Sequence, residues 1–180
     1  MLKINPGTGW IKKFTPRPTT LILLGLIAYF WFRPPAWISD VHHPVANVAV
    51  KLVDGRSVQL SSLRGKVVLV SFWATWCPYC RHELPSIQSF YRDWHNQGVE
   101  VLALSIDDNP TLVTQFLQQN HYTFPVGMAD AATQQAFGGI KKIPISFIID
   151  KQGIIRYKIS GQVYYARLTN LIMPLLKVHE

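Results

Sequence analysis

The sequence predicts an α/β fold, a mixed central sheet flanked by helices, with an apolar anchor at its N-terminus. Three observations predict it. Apolar runs of strand length alternate with segments of helical periodicity through the middle of the chain, the order that lays helices against a sheet. Paired apolar stretches around the turns Asp54-Gly55 and Asp150–Gly153 stand at either end of that region, so hairpins make the sheet mixed. An uncharged stretch, Pro18–Phe32, precedes them all.

That first stretch, PTTLILLGLIAYFWF, lies between Arg17 and Arg33. Fifteen residues span about 22 Å as a helix, short of a hydrocarbon core near 30 Å. Apolar character resumes over Pro34–Ile38, and Arg33 can snorkel to the headgroups. Tyr29, Trp31 and Trp37 stand where an interfacial aromatic belt is expected. The bulky Phe30-Trp31-Phe32 end offers no small-residue cleavage site, which favours an uncleaved anchor over a cleaved signal peptide. The expected organisation is a basic cytoplasmic tail over 1–17, a transmembrane signal anchor over 18–38 and one domain over 40–180. Four bases before the anchor (Lys3, Lys12, Lys13, Arg17) put the N-terminus inside and the domain in the periplasm or outside the cell.

Within the domain, Val48–Val53 and Ser57–Leu60 flank the first turn as a hairpin. Val67–Trp73 (VVLVSFW) is continuously apolar, the mark of a strand covered on both faces. From Leu84, the residues Ile87, Tyr91 and Trp94 recur at helical spacing and stop at Gly98. Val99–Ile106 is the next strand, and Pro110 opens a helix with the stripe Leu112, Val113, Phe116 and Leu117. Phe124–Met128 reads as a short strand, and Asp130 as the N-cap of a helix ending at Gly138-Gly139. Ile145–Ile149 and Ile154–Ser160 make the second hairpin. Leu168, Leu171, Ile172 and Leu175 give a last helix, which Pro174 should kink or shorten.

The formal charge of +8 on 180 residues suggests a polyanion at first sight. Residues 1–33 hold five bases and no acid, which leaves 13 bases against 10 acids in the rest. No basic run is interleaved with aromatics, so a nucleic-acid footprint is absent. With 48% hydrophobic residues the chain is not a disordered one.

Only two cysteines are present, in Trp76-Cys77-Pro78-Tyr79-Cys80, immediately after a buried-type strand and at the start of a helix. Two intervening residues on a first helical turn let the sulfurs reach bonding distance. At the helix N-terminus Cys77 meets the dipole and free N–H groups that stabilise a thiolate, the attacking species. Cys80, one turn inward, is more shielded and suits the resolving role. Pro78 fits the first turn, where its missing N–H costs nothing. A lone CxxC also serves as half a metal site or as two buried thiols. Zinc needs two further ligands, and His42, His43, His82, His95, His121 and His179 show no C/H spacing pattern.

The run Phe72-Trp73-Ala74-Thr75-Trp76-Cys77-Pro78-Tyr79-Cys80, followed by Arg81, Glu83, Leu84 and Pro85, resembles the thioredoxin superfamily. More narrowly it resembles the membrane-anchored TlpA/ResA/CcmG-type thiol–disulfide oxidoreductases. The resemblance runs from about residue 44 to the C-terminus and includes Leu63-Arg64-Gly65-Lys66 and Ile143-Pro144 before Ser146–Asp150. It implies a thioredoxin-like fold, Cys77 as nucleophile and Cys80 as resolving thiol. It implies a cis-proline at Pro144 that lies against the dithiol while Ile143 pairs with substrate backbone, and a helix-kinking Pro85. Trp76 is expected beside the disulfide or in the core, with Tyr79 completing the dithiol turn. Where thioredoxin proper places a buried Asp and a Lys, this chain has Ser71 and Ala103, so the buried proton relay is expected to be absent. Glu83 is the nearest acid, a candidate for proton transfer or a surface carboxylate of a helix's first turns. His82 is a weaker candidate. Ile145 and Ser146 stand where relatives often carry threonines.

The chemistry that follows is disulfide exchange with protein thiols and disulfides, without organic cofactor or metal beyond the Cys77–Cys80 disulfide itself. The resemblance implies re-reduction by an inner-membrane electron donor of the DsbD/CcdA type, and possible service in cytochrome c maturation. Run backwards, the same steps make an oxidase or isomerase. A Sco-type copper chaperone wants CxxxC and a distant histidine, and a thiol peroxidase wants Thr/Ser-x-x-Cys where this chain has Ala74.

Overall fold

The computed structural model describes residues 18–32 and 38–177, in two compact units, Met1–Pro35 and Ala36–Glu180. In the first, α1 (Pro18–Phe32) is a single helix of 15 residues. Its Leu21, Ile22, Leu23, Leu24, Leu26 and Ile27 are all exposed. Among the described residues no helix is long and apolar enough to cross a membrane. The expected tail over 1–17, the continuation over 33–37 with Trp37, and the side chains of Tyr29 and Trp31 lie outside the described residues.

Ile38, expected as the end of the anchor, is instead the first residue of a strand, β1 (Ile38–Pro44), paired with Ile159. The remaining strands are β2 (Ala49–Lys51), β3 (Ser57–Gln59), β4 (Val67–Trp73), β5 (Val99–Ser105), β6 (Val126–Met128), β7 (Ile145–Ile149) and β8 (Ile154–Ser160). The helices are α2 (Pro78–Trp94), α3 (Pro110–Gln119), α4 (Ala131–Ala136) and α5 (Tyr165–Lys177). One six-stranded sheet runs β1-β8-β7-β4-β5-β6, while β2 and β3 form a separate hairpin. β4, β5 and β6 are parallel, and β7, β8 and β1 continue the sheet antiparallel. The mixed sheet and its helices are the thioredoxin-like α/β fold expected from the sequence.

β4 is buried at every residue, as its unbroken apolar run requires. On one face Val67, Leu69 and Trp73 pack with Leu84, Ile87 and Phe90 of α2, Val113 of α3, and Leu168 and Ile172 of α5. On the other, Val68, Val70 and Phe72 meet Val50 of the hairpin and Phe137 beyond α4. Phe72 is edge-on to Phe137 at 5.2 Å and to Phe147 at 6.0 Å between ring centroids, a favoured aromatic geometry. The hairpin closes on β6 through Gly127, where a Cβ would lie 2.4 Å from Val50 Cγ1. Only glycine fits that approach.

Helix ends follow their caps. Gly98, at φ 85°, stops the chain after α2, and the Asp130 carboxylate accepts from the Thr133 N–H at 2.7 Å to start α4, which is only six residues long. Leu112 does not belong to the buried stripe of α3; it is exposed, and Val113, Phe116 and Leu117 carry the packing. Pro174 sits in the last turn of α5, which continues to Lys177.

Candidate active site

The β4 strand ends at Trp73, and the next seven residues carry the dithiol past the C-terminal end of this central strand and into α2. Ile106 N–H donates to the Trp73 carbonyl at 2.9 Å. Asp107 then holds the loop: its carboxylate accepts from Thr75 N–H at 2.9 Å, Thr75 Oγ1 at 2.6 Å and Ser105 Oγ at 2.6 Å. These bonds to a nearly buried carboxylate fix the chain that enters α2, since each charge-assisted bond is stronger than a neutral one. Asp107 is a site residue that sequence reasoning did not single out; its signal was a carboxylate two residues past the end of a parallel strand, where sites of α/β sheets assemble.

Cys77 is the N-cap of α2, and its Sγ accepts from Cys80 N–H at 3.3 Å. Pro78 follows at the first helical position. Both cysteines are free. Cys77 is 5% exposed and Cys80 wholly buried, so an incoming disulfide meets only the first sulfur. Burial, and then the contact with Cys77, push the Cys80 thiol far above its ordinary value.

Glu83, one turn beyond Cys80, is not a surface carboxylate. It is fully buried, accepting from Ser71 Oγ at 3.2 Å and from Val163 N–H at 2.9 Å. Burial raises its carboxyl to about 8 against the pull of those two donors, so near neutrality it holds a proton. The alternative of a surface carboxylate at Glu83 is therefore corrected. Ser71 lies opposite Ala103 in the β4–β5 register, and the carboxylate that neither strand supplies reaches the same place from α2. When it is ionised, its charge adds a small upward push on the Cys80 thiol.

The Ile143–Pro144 bond is cis. Phe72 opposite Ile145 in β4–β7 sets Pro144 level with the end of β4, and Ile143 is half-buried against both faces of the core. Ser146 lies opposite Ser71, buried and with its hydroxyl unpartnered among the described residues. Trp76 is not core: it is 64% exposed, and Tyr79 66% exposed. They stand before and after Cys77 in the chain, and the Tyr79 carbonyl accepts from Gln162 Nε2 at 3.0 Å, tying the dithiol turn to the β8–α5 connection. His82 is exposed on α2. Among the described residues no group of three or more His, Cys, Asp and Glu is gathered to hold a metal.

The profile of the AhpC/TSA family matches residues 41–158. The thiol-disulfide oxidoreductase ResA of Bacillus cereus is 34% identical over 147 residues, 79% of this chain and 84% of that protein. A thiol:disulfide interchange protein of the thioredoxin family from Chlorobium tepidum TLS superposes with a TM-score of 0.69 at 29% identity, covering 77% of this chain and 97% of that one. StoA from Bacillus subtilis does so with a TM-score of 0.62 at 26% identity, over 70% and 96%.

Proposed function

The chain belongs to the AhpC/TSA family and is a thiol-disulfide oxidoreductase; from that premise we propose that it reduces protein disulfides outside the cytoplasmic membrane through Cys77 and Cys80. The observation that carries the division of labour is their unequal burial on one helical turn. Cys77 Sγ, as thiolate, attacks one sulfur of a substrate disulfide; the new Cys77–substrate bond forms as the substrate bond breaks, and the departing thiolate takes a proton. Cys80 then gives up its proton and attacks Cys77 Sγ, closing the Cys77–Cys80 disulfide and releasing the second substrate thiolate. Two electrons pass to the substrate, with no metal or organic cofactor in the cycle.

Burial makes Cys80 a reluctant acid, so its attack needs a base nearby. Glu83, titrating at about 8, takes the Cys80 proton through its ionised fraction, since a proton-transfer group works best near ambient pH. Ser71 and Val163 orient it. In this reading Trp76, Tyr79, Ile143 and Pro144 meet the substrate chain.

The uncharged α1 and the bases before it support a membrane-held protein with its catalytic domain on the outer side. The resemblance of the motif supports re-reduction by a membrane donor of the DsbD/CcdA type. Equilibrating the full chain with glutathione, read by Trp76 fluorescence, tests the direction. A potential near or below about −230 mV is expected, and one near about −120 mV would overturn the reductive reading in favour of an oxidase.

A further inference from the structure

We propose that the groove between α2 and α3 binds an acidic segment of the protein substrate, with Arg81 as the group that reads its carboxylate. The proposal rests on the exchange reaction above and adds to it the class of polypeptide preferred. The groove, of about 390 Å³, is lined by Pro78, Arg81, His82, Pro85, Phe116, Asn120 and Tyr122. Its α2 wall is the series 78, 81, 82 and 85, one face of the helix, and that face begins at the residue next to Cys77. A chain joined to Cys77 therefore enters the groove at its upper end.

Arg81 is exposed, with its guanidinium 5.6 Å from the centre of the Phe116 ring. Stacking on a ring orients a guanidinium and leaves its N–H fork open. Among the described residues it has neither an ion pair nor a side-chain hydrogen bond. Burial pushes the Tyr122 phenol up, and the Arg81 charge pulls it part of the way back. His82 supplies a further donor, the Asn120 amide nitrogen donates to the Phe116 carbonyl at 2.8 Å, and no acidic residue lines the groove. An unpaired, pre-oriented cation beside apolar ring surface fits a carboxylate side chain on an otherwise apolar stretch.

Spacing follows from chain geometry. From Cys77 to Arg81 the helix rises about 6 Å, which an extended chain covers in about two residues, with the length of the two side chains to be added. The carboxylate thus belongs two to four residues from the substrate cysteine.

The test uses the reduced full chain in a non-ionic detergent and homodimeric disulfide peptides carrying Glu, Gln or Lys three residues from the cysteine. Reduction of the Glu peptide is expected to be about threefold faster than that of the Gln peptide, with the Lys peptide slowest, and the spread should shrink at high salt. Arg81→Gln should erase the preference for Glu. Arg167→Gln, the same charge change in the neighbouring groove lined by Tyr164 and Gly161, should leave it. Equal rates for the three peptides overturn the proposal, as does a preference that survives Arg81→Gln or that is as large with Glu eight residues away. The peptide series on the unaltered chain decides even where a variant misfolds. Failure to reduce any peptide instead overturns the exchange reading, and this proposal with it.

Discussion

Glu83 accepts a 3.2 Å hydrogen bond from the Ser71 hydroxyl in a part of the core closed to solvent. That bond joins the dithiol helix to the central strand and places a proton-bearing group under the thiol least able to ionise alone.

Stability should fall as pH rises through this group. In the fold its carboxyl titrates at about 8, against 4.5 for the free side chain. Between those values the folded chain holds a proton that the unfolded chain has released. Its contribution is whole below about pH 4.5 and is lost on the way up to pH 8, at about 1.4 kcal/mol per pH unit. Denaturant titrations at pH 5, 6.5 and 8 should show that slope, and Glu83→Gln should flatten it. An unchanged slope in the variant would refute the assignment.

The two cysteines should behave unequally. Cys80→Ser is expected to accumulate mixed disulfides with protein substrates, because Cys77 still attacks and nothing resolves the adduct. Cys77→Ser should neither turn over nor trap. Non-reducing gels compare the two, and equal trapping would sink the division of labour.

Asp107→Ala removes the acceptor of three hydrogen bonds and strands the Thr75 N–H. A loss of roughly 2 kcal/mol or more is expected in the unfolding free energy, together with slower exchange, since the loop that carries Cys77 is released. Asp107→Asn should recover part of both. A variant as stable and as fast as the parent would contradict the role.

Trp76→Ala should separate function from stability. The side chain is mostly exposed, so the unfolding free energy should shift by no more than about 0.5 kcal/mol, while exchange with protein substrates slows more than exchange with a small disulfide. A large loss of stability would place Trp76 back in the core.

Gly127→Ala should cost about 1–3 kcal/mol, because the new Cβ meets Val50 Cγ1 and the Lys51 carbonyl. Thermal or chemical unfolding measures it directly. A neutral substitution would mean that the β2–β3 hairpin shifts freely against β6.

Sequence and structure agree where one local pattern decides the outcome. The bounds of β4, β7 and β8 follow from apolar runs between turn residues, and the CxxC placement follows from a strand passing into a helix. They part where partners are distant. Ile38–Pro44 holds Asp and two His residues and ends in Pro, with no strand alternation; it is extended because β8 offers an open edge. Glu83 resembles any acid in a helix's first turns, and its burial is settled by Val163, eighty positions on. Of the two places the resemblance offers Trp76, the core fails: the turn before α2 leaves its ring 64% exposed, which no local pattern around it signals.

The edge strand β1 has a consequence for how the domain comes into being. Pro44 pairs with Ile154 and Ile38 with Ile159, so among the described residues the first strand synthesised waits for the last. Such distant pairing folds slowly, and a chain made from its N-terminus presents Cys77 and Cys80 well before β8 and Val163 arrive. Until then the second thiol has no shelter and Glu83 no partner at Val163. The difference between attacking and resolving sulfur is thus absent from the nascent chain, and it is acquired only when the sheet closes.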